Sequence, residues 1–374
     1  MVVKRVIKME IKNLKLTNFR NYEKLDVTFN DHLNLIHGNN GMGKTNLVEA
    51  ICVLALTRSF RPIMDKNLIM KEKNVAKIEG IVKKEYVNNY KVLIEPQGKK
   101  VKVDNNKISK ISDYISKINV VIFNPEDLKI IKDTPSIRRK NINIEISQIS
   151  ITYLQNLNNY NKILKQRNAY LKTMAINSNT STDYLDVLTN KLVELGIKIY
   201  EERRNYYILI NKYINNFYKK ITGFNNLEVR YISDFDNKKD IELLDLYKKN
   251  LKKDLFIGKT SVGVHHDDLE FYLDDMNLKV YGSEGQQKNA IISLKLSEIE
   301  IIKEKKNDYP ILVLDDLFSE LDNIKINNII RLLNNDVQTF ITTTNIENVS
   351  KSLLNNCKVI RVSDGKIEED STYE

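Results

Sequence analysis

Cysteine is scarce in this chain: its 374 residues contain two, Cys52 and Cys357. Two isolated cysteines build neither a disulfide framework nor a metal site of ordinary ligand number. Both stand in apolar runs, where a thiol acts as a small core side chain, and their scarcity fits a reducing cytoplasm. Long hydrophobic runs are missing as well. No stretch of about 18 apolar residues occurs, which predicts no membrane span. The N-terminal 1-MVVKRVIKMEIK-12 scatters charge where a signal peptide needs an apolar core. Internal repeats are absent. Acidic residues are outnumbered, and the formal net charge is +10. Such a balance favours an acidic partner such as nucleic acid, and equally fits a soluble protein with a lysine-rich surface. Hydrophobic residues make up 42%, enough for packed cores. The length suggests about two domains at roughly 150 residues each.

The first third reads as strands: 9-MEIKNLKL-16, 24-KLDVTF-29 and 33-LNLIH-37. The stretch 44-KTNLVEAICVLAL-56 turns helical, with Leu47, Ile51 and Leu54 on one face. Strand patterns return at 75–82, 90–95 and 99–104, with hairpin turns expected at Gln97-Gly98 and Asn105-Asn106. A further strand, 118-INVVIF-123, runs into 124-NPEDL-128, where Asn124 is placed to cap a helix that has Pro125 at its first position. From about 136 to 255 the periodicity becomes helical and glycine nearly vanishes. Apolar stripes on either side of the polar break 176-INSNTSTD-183 predict two helices folded back as a hairpin, with Thr182 or Asp183 as the cap. The last third returns to α/β. The run 311-ILVL-314 predicts a strand buried on both faces. A helix at about 323–334, strands at 338–344 and 357–364, and an acidic tail follow. The expected fold class is α/β, with residues 1–123 and 300–374 forming one lobe and 124–299 an inserted helical lobe with a short arm.

Three glycines lie within 36-IHGNNGMGKTN-46. Gly38, Asn39, Asn40, Gly41, Met42, Gly43, Lys44 and Thr45 fit G-x-x-x-x-G-K-[ST] between a strand and a helix. Glycine permits the tight turn, and the N–H groups and helix N-terminus favour phosphate. Lys44 can reach the β- and γ-phosphates of a bound nucleotide, and the Thr45 hydroxyl can ligate Mg²⁺. The strand 311-ILVL-314 ends in Asp315 and Asp316. A carboxylate at that sheet edge stands beside the phosphate loop. Asp315 is the expected Mg²⁺ ligand with Thr45, and Asp316 the residue that orients or deprotonates the attacking water. A third element, 281-YGSEGQQKNAIISLKLSE-298, opens a helix with Ser283, Gly285 and Gln286. It resembles the S-x-G-Q signature of ABC-type ATPases. A hydroxyl and N–H groups at a helix start favour an anion, and a plain helix cap would look the same. The segment 319-SELD-322 resembles the D-loop of that class.

Together with 16-LTNFRNY-22, 59-SFR-61, 121-VIFNPEDL-128, 164-LKQRN-168 and 338-QTFITTT-344, these motifs resemble the RecF family of SMC/ABC-like ATPases over nearly the whole chain. Departures lie at 263-GVHHDDL-269, where Val264 and His266 diverge from G-P-H-x-D-D-L, and at Lys288, where arginine is usual. The resemblance implies an ABC/SMC-type ATPase head that forms a homodimer around ATP. Each nucleotide would lie between Lys44 of one copy and Ser283, Gly285 and Gln286 of the other. It also implies action on gapped DNA in repair and replication, with RecR, RecO and RecA as partners. Asp316 stands where transporters place glutamate, and 342-TTT-344 offers no switch histidine, so the implied ATPase is slow. The same absence argues against a transporter subunit. The lack of hundreds of heptad residues argues against a full SMC protein, and Ser283 with 319–322 argues against a small-molecule kinase. Arg58, Arg61, Arg138, Arg139 and 248-KKNLKK-253 are candidates for phosphate contacts on DNA. For Arg138 and Arg139 internal ion pairing stays equally open, and the 248–253 run fits a solvated face. His265, His266, Asp267 and Asp268 lack the further ligand cluster that a metal site needs.

Overall fold

The computed structural model describes residues 6–177, 180–316, 329, 331, 336–344, 346, 349–350 and 354–369. The expected D-loop 319–322 and most of the helix at 323–334 lie outside the described residues. The chain packs as two units, one of Met1–Asp127, Lys220–Thr222 and Ile292–Glu374, the other of Leu128–Lys219 and Gly223–Ile291. In chain order come β1 (Ile7–Lys8), β2 (Glu10–Phe19), β3 (Tyr22–Thr28), β4 (Leu33–His37), helix α1 (Lys44–Leu56), β5 (Ala76–Lys83), β6 (Val87–Glu95), β7 (Gly98–Val103), β8 (Asn106–Ile108), α2 (Ser112–Ile115) and β9 (Val120–Phe123). Then follow α3 (Lys129–Lys132), α4 (Pro135–Ile149), α5 (Ile151–Ile176), α6 (Asp183–Thr222), β10 (Leu227–Ile232), α7 (Asp240–Lys249), α8 (Leu251–Ile257), β11 (Asp268–Leu273), β12 (Met276–Asn277) and α9 (Leu278–Tyr281). Helix α10 (Glu284–Lys306) precedes β13 (Asp308–Tyr309), β14 (Ile311–Leu314), β15 (Thr339–Thr343), β16 (Lys358–Ser363) and β17 (Lys366–Glu369).

The first unit contains two six-stranded sheets. One runs in the order β17-β16-β4-β15-β14-β9 and is parallel except for β17. The other, β3-β2-β5-β6-β7-β8, is antiparallel throughout. Their sequences differ as these environments require. The residues of β14, ILVL, are all buried, whereas β5 alternates buried with less buried positions. Helix α1 packs against β15 and β9 of the first sheet and against β2, β5 and β6 of the second. It is therefore buried nearly all round, from Leu47 to Leu56, and not only along the Leu47–Ile51–Leu54 face. The β7–β8 turn falls at Asp104 and Asn105, with φ of 48° and 66°, one residue before the expected Asn105-Asn106. Both residues tolerate the left-handed conformation that a two-residue hairpin turn demands. The end of the chain is not all tail, since 366–369 pairs antiparallel with β16 as β17.

The second unit is built on a helical hairpin. Arg167 Nε near the end of α5 donates to Thr189 Oγ1 early in α6, at 3.0 Å. Arg203 Nε, midway along α6, donates to the Tyr153 hydroxyl at the start of α5, also at 3.0 Å. Contacts that step in opposite directions define antiparallel helices. Ser181 Oγ accepts from Asp183 N at 3.1 Å and so holds the start of α6, and Thr182 makes no side-chain cap. The stretch 136–255 is not helical throughout, because β10 pairs antiparallel with β11, and β11 with β12. The short strands LEVRYI and DLEFYL lie too far apart in sequence for a local hairpin signal.

Buried ion pairs tie this unit together. Arg203 donates to Asp267 Oδ2 at 2.6 Å and Arg167 to Asp254 Oδ2 at 2.8 Å. Arg138 grips Asp268 with two bonds of 2.6 and 2.9 Å. Arg138 is thus an internal partner and not a free phosphate contact, and Arg139 donates to Asp267 O at 2.8 Å. The segment 263–269 is a structural clamp: Asp267 also accepts from the Tyr231 hydroxyl. His265 bonds the Tyr160 hydroxyl at 2.8 Å and Thr260 O at 3.1 Å. Burial, with His266 beside it, pulls its pKa down to about 4. Among the described residues no group of three or more His, Cys, Asp or Glu is placed to hold a metal ion. Among them too, no helix is long and apolar enough to cross a membrane.

Candidate nucleotide site

The loop 38–43 joins β4 to α1 at the carboxyl ends of the parallel strands. Gly38 has φ of 150° and Gly43 of 118°, a region that side chains avoid. At Gly38 space forbids a side chain as firmly as conformation does, while at Gly43 a side chain would displace those that hold the loop. A Cβ on Gly38 would lie 2.3 Å from Val362 O, and one on Gly43 2.7 Å from Asn21 Nδ2. The outer side of the loop is pinned by its neighbours. Asn21 Nδ2 donates to Met42 O at 3.0 Å, and the Tyr22 hydroxyl to Gly43 O at 3.0 Å. In a planar trans peptide the following N–H points opposite to the carbonyl. With these two carbonyls held outward, the N–H groups of Gly43 and Lys44 face into the loop. This gives a purpose to Asn21 and Tyr22 of the segment 16-LTNFRNY-22.

Lys44 is buried, and its Nζ donates to Gly38 O at 2.8 Å and Asn39 O at 2.9 Å. The ammonium lies folded within the loop, against the weak acceptors it would exchange for phosphate oxygens. Burial lowers its pKa, while Asp316 and Asp315 act in the opposite direction. Thr45 Oγ1 donates to Asp315 Oδ1 at 3.1 Å, so the two expected metal ligands touch. Strand β15 lies between β4 and β14, and its Thr342 hydroxyl donates to the same Asp315 oxygen at 2.8 Å. Thr342 Oγ1 also accepts from Asp316 N at 2.8 Å. Asp316 has φ of 52°, which turns the chain sharply beyond β14. Burial pushes the Asp315 carboxyl above its usual range, against hydrogen bonds from Thr342 and Thr45. A dication beside Thr45 and Asp315 would offset that penalty. The hard oxygen donors suit Mg²⁺, and the glycine cradle suits phosphate.

Behind α1 lies an ion-pair network absent from the sequence reading. Glu49 is fully buried and accepts from Arg20 Nε at 2.8 Å and Nη2 at 2.9 Å. Ser59 Oγ donates to Glu49 Oε1 at 2.5 Å. Arg61 Nη2 donates to Asn46 Oδ1 at 2.9 Å, and Asn46 in turn donates to Asn21 at 2.8 Å. Arg61, a candidate for DNA contact, thus buttresses the start of α1. Arg58 is half-buried, and burial lowers its pKa. Glu49→Ala should destabilise the fold by about 3 kcal/mol, at the low end for a broken buried pair because Arg20 keeps some water. Urea unfolding measures this, and a change below about 1 kcal/mol would remove the network from the account of stability.

The second unit presents Ser283 at the start of α10. Its Oγ accepts from Gln286 N at 3.3 Å, and Gln286 Oε1 accepts from Ser283 N at 2.8 Å. This reciprocal pair is a capping box. The cap uses a lone pair of Ser283 and leaves its O–H proton to donate elsewhere. Gly285 is exposed, and a Cβ there would meet nothing within 4 Å. No neighbour among the described residues requires glycine at this position in the first turn of α10. Close approach from outside would require it. The buried Gln287 fixes the helix start by donating to Leu278 O at 2.8 Å.

The fold and its phosphate loop, paired with the Asp315 strand, define an ABC/SMC-type ATPase head. Residues 10–368 match the RecF/RecN/SMC N terminal domain. Within that class the chain belongs to the RecF family. It is 39% identical to the DNA replication and repair protein RecF of Ligilactobacillus salivarius, over 98% of this chain and 99% of that one. With RecF of Oceanobacillus iheyensis it shares 40% identity, over 96% of this chain and all of the relative. A solved structure described as the recombination mediator protein RecF-ATP in the RecFOR pathway superposes with a TM-score of 0.91 at 32% identity, covering 99% of this chain and 100% of that one. An Smc head domain from Pyrococcus yayanosii gives 0.54 at 15% identity over 97% of each chain, a likeness of fold alone.

Proposed function

We propose that this protein binds ATP and DNA, acting in recombinational repair and replication as an ATP-sandwiched homodimer on gapped DNA. The observation that carries the reading is the unused chemistry of the capping box: Ser283 keeps a free hydroxyl proton beside an open Gly285. A phosphate loop with a metal-binding pair elsewhere in the chain supplies the complementary half. The loop 38–45 holds the triphosphate, with Lys44 moving from Gly38 O and Asn39 O to the phosphates. Thr45 and Asp315 hold Mg²⁺, which when bound neutralises charge on the phosphate oxygens. Asp316 orients the attacking water. Ser283 and Gln286 of the second copy close over the γ-phosphate, so each site needs both chains. ATP binding closes the dimer on DNA, and slow hydrolysis releases it. Family membership supports cytoplasmic work with RecR and RecO that helps RecA displace single-strand binding protein.

Sedimentation velocity with and without ATP tests the reading, using Asp316→Asn to limit hydrolysis, alone and with a gapped duplex. An ATP-dependent dimer that carries DNA is the expected result. A persistent monomer that still binds ATP would remove the sandwich. Ser283→Arg should leave ATP binding by the monomer unchanged and block dimerisation, because a long cation replaces the small donor at the closing surface. Dimerisation of Ser283→Arg at the wild-type ATP concentration would take the signature out of the mechanism.

A further inference from the structure

The antiparallel sheet of the first unit has a buried face and an open one. On the buried face Ile78, Val92, Ile94 and Val101 complete the core around α1. On the open face one row of directly opposed residues crosses all six strands: Asp26, Lys15, Glu79, Lys91, Lys102 and Lys107. At the β3–β2–β5 end the signs alternate. Lys15 pairs with Asp26 at 2.8 Å, and Lys91 with Glu79 at 2.7 Å. Beyond Lys91 the alternation stops, and three lysines stand side by side on β6, β7 and β8. Lys102 faces a like charge on both sides, an arrangement that destabilises a sheet. The nearby carboxylates are engaged elsewhere: Glu95 pairs with Lys100 at 2.7 Å, and Asp104 accepts from Asn88 and Asn89. Lys102 and Lys107 are exposed. Protection of a sheet edge accounts for a lysine on β8, but β7 is an interior strand.

We infer that this lysine row on β6–β8 is a docking face for the phosphate backbone of DNA. The inference rests on the DNA-binding reading above and names the surface that serves it. Neighbouring strands lie about 4.8 Å apart, so the three lysines span about 10 Å. Duplex DNA carries one charge per about 1.7 Å of axis, which places several phosphates within reach of the flexible Lys102 and Lys107 side chains, with Lys91 already paired to Glu79. A backbone laid across the row replaces lysine–lysine repulsion with attraction and releases counterions. Contacts of this kind read no sequence, as suits a protein that recognises DNA form.

The test measures ATP-dependent binding to a gapped duplex across a salt series. The double variant Lys102→Gln/Lys107→Gln should bind on the order of tenfold more weakly. Its slope of log K against log salt should be shallower by about 1.8, one lost phosphate contact per lysine. Lys15→Gln/Asp26→Asn, which removes a neutral pair from the same face, should leave both quantities unchanged. Lys102→Glu restores alternating sign along the row. It should raise the melting temperature at low salt while weakening DNA binding further, opposite shifts that misfolding does not produce. Wild-type binding with an unchanged affinity and slope in the double variant would overturn the docking face and leave the DNA-binding reading intact. No ATP-dependent DNA binding by the wild type would reject that reading itself. Loss of association with phosphatidylglycerol vesicles, with DNA binding retained, would assign the row to a membrane and end the proposal.

Discussion

A Lys44→Met variant should fold but should no longer dimerise or bind DNA when ATP is added. Methionine fills nearly the same buried channel as the lysine stem, and its thioether makes no demand that the loop must satisfy. The folded state loses two neutral-acceptor bonds, to Gly38 O and Asn39 O. The nucleotide complex loses far more, because the ammonium is the one flexible cation within the loop and its phosphate bonds are charge-assisted. Such bonds contribute about 1.5–3 kcal/mol each, and 1.4 kcal/mol is tenfold in affinity. ATP affinity should therefore fall by roughly 10- to 100-fold. The dimer should be lost at ATP concentrations that saturate the wild type. Fluorescent-nucleotide titration gives the affinity, sedimentation velocity the dimer and circular dichroism the fold. An unchanged affinity in a folded variant would mean that the loop binds phosphate without Lys44, and the assignment of the site would fail.

The phosphate loop was legible because everything it needs is contiguous: strand, glycines, Lys44, Thr45 and helix follow one another in 33–56. Asp315 was legible for a similar reason, since a short continuous apolar run announces a doubly buried strand whose next residue emerges at the sheet edge. Long-range partners left no such mark. Glu49 sits inside an apolar helix like any solvated acid, and only the fold brings Arg20 and Ser59 onto its oxygens. Thr342 read as one of three interchangeable hydroxyls until strand order placed β15 between β4 and β14. The basic residues divide in the same way. Arg138 and Arg61 stood among the candidates for DNA contact, but the fold gives both arginines internal partners; Lys102 was not among those candidates, and only register sets it between two other lysines. The sheet β10-β11-β12 escaped because strand signals rely on turns, and a helical pair separates its first two strands.

Asp316→Asn should slow ATP hydrolysis on the order of 100-fold while leaving ATP binding and dimerisation intact, because it removes the carboxylate that takes or orients the proton of the attacking water. The choice of asparagine follows from the backbone. Asp316 has φ of 52°, where asparagine is tolerated and alanine is strained by about 1–2 kcal/mol. Its N–H donates to Thr342 Oγ1, a bond that any residue but proline preserves. Asparagine therefore changes the side-chain chemistry and little else, whereas Asp316→Ala would mix slow hydrolysis with a displaced Asp315. With hydrolysis slowed, the closed dimer should remain on gapped DNA longer by a similar factor, since release waits on the same step. Single-turnover hydrolysis and dissociation from immobilised DNA measure the two rates separately. Slow hydrolysis with unchanged residence would uncouple release from turnover. Wild-type hydrolysis would move the water-activating role away from Asp316. The same substitution at Asp315 should behave differently: Thr45 and Thr342 both donate to its Oδ1, so Asp315→Asn loses the charge a dication needs and should weaken Mg²⁺-dependent nucleotide binding before any chemistry begins.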